Sequence, residues 1–106
     1  MMLLDSNIII YSIQPEFAEL RQLIAKRNPA VSAISYVEVL GYHRLTRSDK
    51  EDFMAFFHAA RIIPVSLPVL EQAVQLRQQR KISLGDSIIA ATAMLNHSDI
   101  TDGQRQ

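Results

Sequence analysis

Short apolar runs alternate with helical segments along this chain, and that alternation is what most restricts its fold. MMLLD, NPAVSAIS and RIIPVS each read as a buried strand of a few residues. IIIYSI carries on from the first of them into a helix. EFAELRQLIAKR is helical, with Phe17, Leu20, Leu23 and Ile24 at three- and four-residue spacing. YVEVLGYHRL reads as a helix with Val37, Leu40, Gly41 and Leu45 on one side. SDKEDFMAFFHAA reads as a helix opened by a capping box from Ser48 to Glu51. LPVLEQAVQLRQQRK carries Pro68 in its first turn, and LGDSIIAATAMLNH is a further helix. DIT reads as the beginning of a fourth strand. Strands separated by helices predict an α/β domain with a parallel sheet, here a single domain over 1–106.

Composition removes several classes of function. Hydrophobic residues make up 48% of the 106, enough for a packed core. With no cysteine there are no disulfides, thiolate zinc sites or cysteine nucleophiles, and a reducing cytoplasm is the expected setting. No stretch has the length of a membrane span, and MMLLDSN has no basic region of the kind that opens a secretory signal. A formal net charge of zero argues against a protein built to coat nucleic acid, but allows an enzyme that holds RNA on one basic strip.

Three acids stand in or beside the apolar segments: Asp5 in MLLDSNIIIY, Glu38 in SAISYVEVLGY and Asp86 in SLGDSIIAATAML. A carboxylate there is expensive to desolvate unless it is hydrogen-bonded, paired or bound to a metal. In parallel sheets sites form at the carboxyl ends of the strands. Asp5 follows the first strand, Glu38 is on the helix after the second, and Asp86 opens the helix before the fourth, so all three reach one edge. Gathered acids repel, and a hard divalent cation is the usual remedy. Each acid also has an ordinary structural reading. Asp5 serves as a helix N-cap, Glu38 as a solvent-facing helix residue, and Asp86 as the partner of Ser83 in a capping box.

LLDSNIIIY, SAISYVEVLGYHRL and KISLGDSIIAATAML, in this order, resemble the three leading motifs of PIN-domain nucleases, most of all the VapC-type toxins of bacterial toxin–antitoxin pairs. The likeness runs from Met2 to about Asn96. It implies a three-layer α/β/α domain with a parallel sheet, and a metal-dependent endoribonuclease in which metal-activated water cleaves RNA. It also implies that Asp5, Glu38 and Asp86 hold Mg²⁺ or Mn²⁺ and carry the catalysis, and that Ser6 and Asn7 order the site and orient the substrate. A homodimer is implied as well, with a cognate antitoxin whose C-terminal tail occupies the acidic cleft.

The tail NHSDITDGQRQ departs from the family pattern. Thr101-Asp102 is the nearest match to the turn that carries a fourth ligand, which implies Asp102, with Asp99 second. GQRQ leaves no residues for the family's final short strand, so that strand is expected to be missing and the tail to be truncated. A second reading follows: a PIN remnant that dimerises or captures antitoxin without cutting RNA. A small-molecule phosphatase or flap-type DNA nuclease using the same acids is a third. For RNA, Arg80 and Lys81, a few residues before the Asp86 motif, are the chosen phosphate contact, although for them as for the other basic clusters the ordinary reading is the solvated face of a helix.

Overall fold

The computed structural model describes residues 2–96 and the backbone of 99–101. Four three-residue strands form one sheet: β1 (Met2–Leu4), β2 (Ala30–Ser32), β3 (Arg61–Ile63) and β4 (Asp99–Thr101). Their order is β3-β2-β1-β4 and every neighbouring pair is parallel. DIT is thus the fourth strand, beside β1. The expected loss of the family's final strand concerns residues 102–106, which lie outside the described residues.

Among the described residues six α-helices join the strands, with a short 3₁₀ helix (Pro15–Phe17) before the second: α1 (Ser6–Ser12), α2 (Ala18–Arg27), α3 (Ala33–Leu40), α4 (Arg47–Ala59), α5 (Leu67–Gln79) and α6 (Leu84–Leu95). Successive strand side chains point to opposite faces, and β1 shows the result. Leu4 packs with Val31, Ile8, Ile9, Val39, Phe53 and Phe57, the layer built by α1, α3 and α4. Leu3 packs with Ala30, Ile89 and Ala93, the layer built by α6. Behind it, Val69, Ala73 and Leu76 of α5 meet Ile88 and Ala91 of α6. Leu3 and Leu4 are both fully buried, so two adjacent residues hold the two outer layers to the middle one. This is the three-layer α/β/α arrangement. No helix among the described residues is long and apolar enough to cross a membrane.

Two helix starts differ from the expectation. α3 begins at Ala33, capped by Ser32, whose hydroxyl accepts from the Ile34 amide at 3.2 Å. That earlier start places Ser35 and Val39 inward and leaves Val37 64% exposed. The predicted stripe through Val37 and Gly41 is therefore out of phase, and the helix ends at Leu40. α4 is capped by Thr46, whose hydroxyl accepts from the Asp49 amide at 3.1 Å. Ser48 lies inside the first turn, so it cannot be the cap. α2 ends at Asn28 in the left-handed region, φ 48°, a conformation Asn tolerates better than most residues. Pro29 then blocks continuation into β2 as helix.

Candidate active site

The edge at the carboxyl ends of the strands is built by three chain segments. At the first, β1 ends at Leu4 and Asp5 takes an extended conformation as the N-cap of α1. Its Oδ1 accepts the Ile8 amide at 2.9 Å, satisfying a donor that has no partner within the helix. The capping role read from the sequence is real, and it fixes the carboxylate directly above the strand.

The second segment is α3. Ser35 and Glu38 are three residues apart, so both face the start of α1. Ser6 Oγ lies 2.6 Å from Glu38 Oε1 and 3.0 Å from Ser35 Oγ. A hydroxyl has a single proton and a carboxylate only accepts. Ser6 therefore donates to Glu38, and Ser35 donates to Ser6. Ser35 is fully buried while Glu38 is exposed, so this short relay runs from the core out to the carboxylate and aims it.

The third segment is the first turn of α6. Because α6 leads into β4, which runs parallel to β1, the helix runs back against the strands and starts at their carboxyl ends. Ser83 caps it, its hydroxyl accepting the Asp86 amide at 3.1 Å. The Asp86 side chain is exposed. Gly85, one residue before it, is buried beneath the Glu38 carboxylate, with Glu38 Cδ 2.8 Å from where a Cβ would stand.

Glu38 thus touches the residue that follows Asp5 and the residue that precedes Asp86. The donors offered are all oxygen, which suits a hard cation. Among the described residues no three His, Cys, Asp or Glu side chains converge closely enough to hold one ion by themselves. Mg²⁺ does not require that: it keeps several waters and is commonly held by one or two carboxylates together with substrate phosphates. The donor set fits such an ion, as an open site on the surface.

The remaining predicted residues divide. Asn7 is exposed and its side chain makes no hydrogen bond among the described residues. Arg80 and Lys81 are exposed in the loop that leads to α6, and neither forms an ion pair among the described residues. Asp102 lies outside the described residues. Ser35 and Gly85 were not singled out from the sequence. Both stand inside the motifs SAISYVEVLGYHRL and KISLGDSIIAATAML, Ser35 three residues before Glu38 and Gly85 directly before Asp86, but neither is given a role by the sequence.

A concavity of about 710 Å³ lies elsewhere, between α2 and α4, lined by Ile13, Ile24, Phe56 and Ala59 among others. Its walls are mainly apolar and include none of the three acids, so it is not the candidate site.

A family model, the PIN domain, matches residues 2–105. Among curated proteins nothing matches. Among solved structures, one described as a toxin–antitoxin complex from Klebsiella pneumoniae is similar over 94% of this chain and 83% of that chain, at 29% identity and TM-score 0.75. FitAcB from Neisseria gonorrhoeae is similar over 94% and 85%, at 24% identity and TM-score 0.72. The Mycobacterium tuberculosis toxin VapC20, described as cleaving the sarcin–ricin loop, is similar over 98% and 92%, at 17% identity and TM-score 0.75. The last two, at such identities, speak for the fold alone.

Proposed function

The chain belongs to the PIN domain family, and from that premise we propose that it is a metal-dependent endoribonuclease, the toxin of a toxin–antitoxin pair. One observation carries the reading: Glu38 is held by Ser6 at 2.6 Å, next to Asp5, while it lies on Gly85, next to Asp86. A helix that merely displayed a glutamate to solvent would need neither contact.

In this reading Asp5, Glu38 and Asp86 hold Mg²⁺ or Mn²⁺. The bound ion supplies an activated water and charge stabilisation at the attacked phosphate. The protein's own part is orientation. The Ser35–Ser6 relay fixes one Glu38 oxygen, the α1 cap fixes Asp5, and Ser83 fixes the turn that carries Asp86. Arg80 and Lys81 give backbone phosphates a place to bind beside the α6 turn, a contact that positions RNA without reading its sequence. A cognate antitoxin and a second copy of the chain complete the proposal. The neighbour from Klebsiella pneumoniae, described as a toxin–antitoxin complex, supports the antitoxin.

Purified protein incubated with total cellular RNA and Mg²⁺ tests the reading. Cutting that stops on adding chelator, and that Glu38→Gln abolishes while the protein stays folded, is the expected result. Cutting that survives the chelator would remove the metal. RNA or antitoxin binding with no cutting under any divalent ion would replace the enzyme with a binding protein.

A further inference from the structure

We propose that Gly85 is a positioning residue, which lacks a side chain so that the Glu38 carboxylate can lie over the first turn of α6, one residue before Asp86. The inference rests on the reading of Glu38 as a site acid. A Cβ at position 85 would stand 2.8 Å from Glu38 Cδ and 3.1 Å from Oε1, and would collide outright with Oε2. The carboxylate occupies the volume a side chain would take.

The backbone at position 85 does not call for glycine. It is the second residue of α6, and no glycine among the described residues has a positive φ. Inside a helix alanine is preferred to glycine, so on helical grounds this position is a loss. The compensation is on the carboxylate side. The amides of Leu84 and Gly85 have no intrahelical partner, and the start of a helix favours an anion. Ser6 pulls on Oε1 from α1 while Gly85 admits the carboxylate from α6, so Glu38 is bracketed between the two turns that carry Asp5 and Asp86. A methyl group at 85 would displace only the end of a flexible side chain. The fold would bear that at little cost, and the site would lose its geometry.

Gly85→Ala tests this with three readouts. The melting temperature should stay within about 4 °C of wild type, a change on the order of 1 kcal/mol for a domain this size. The ¹³C resonance of the Glu38 side-chain carboxyl, recorded without metal, should move. The Mn²⁺ dissociation constant from calorimetry should rise ~10-fold, as when a partner that orients a ligand is lost. In a Glu38→Ala background, Gly85→Ala should instead raise the melting temperature, because only the helix preference remains. An unmoved carboxyl resonance with unchanged Mn²⁺ affinity overturns the proposal, as does a large fall in melting temperature that Glu38→Ala does not relieve. A wild-type chain that neither binds Mn²⁺ nor cuts RNA defeats the functional reading instead, and the resonance and the double variant then decide the Gly85 contact alone.

Discussion

Helices α1 and α6 both begin at the carboxyl edge of the sheet, and both bring an aspartate there, but they divide the work differently. In α1 the aspartate is the cap: Asp5 Oδ1 takes the Ile8 amide at 2.9 Å. In α6 a serine is the cap, and the aspartate only lends its backbone amide, at 3.1 Å from Ser83 Oγ. One carboxylate is tied to the fold through its own oxygen, the other through its main chain. Asp5 thus has a structural part in the fold beside the chemical one proposed for it, whereas Asp86 can be altered at its tip without disturbing the helix.

This contrast gives predictions of decreasing size. The largest is on catalysis. Asp5→Asn and Asp86→Asn should each lower RNA cutting by more than about 100-fold, beyond what loss of an orienting partner costs, with melting curves close to wild type because Asn caps as well as Asp at position 5 and the Asp86 side chain is exposed and caps nothing. Normal cutting by either variant would take that acid out of the site. The next is on stability. Asp5→Ala should cost about 1 kcal/mol by denaturant titration, the usual loss for a cap, while Asp86→Ala should stay within about 0.5 kcal/mol, as for a surface change. Equal losses would erase the distinction between the two helices. The smallest is a cap exchange: Ser83→Asn should change stability by only a few tenths of a kcal/mol and leave cutting intact. A strong loss of cutting there would give Ser83 a part in the site beyond capping.

The same contrast explains what could be read from the sequence. Asp5, Glu38 and Asp86 were visible because each interrupts or ends an apolar run, and the strand-and-helix alternation already placed them on one edge. The phase of α3 was not visible. Tyr36, Val37 and Val39 give no clear stripe, and the helix is set by Ser32, which is at once the last residue of β2 and the cap of α3. The start of α4 is also not decided by local spacing: Thr46 to Asp49 and Ser48 to Glu51 are equally spaced, and the chain takes the first. Gly85 stands in the motif KISLGDSIIAATAML, but its partner could not be read there. Its meaning is a contact with Glu38, and nothing within a turn of it along the chain announces that partner.

Strands of three residues have a consequence for time scale. None of them can hold its amides shut alone, so the sheet opens as a whole or not at all. β1 is flanked by β2 and β4, and its Leu3 and Leu4 are sealed on both faces. Its amides should be among the last to exchange with solvent deuterium. Asp5 follows that strand directly. The lifetime of the geometry at this end is then tied to the opening of the sheet, while Glu38 and the turn of Asp86 are held by contacts nearer the surface, Ser6 and Gly85 for the one and the Ser83 cap for the other.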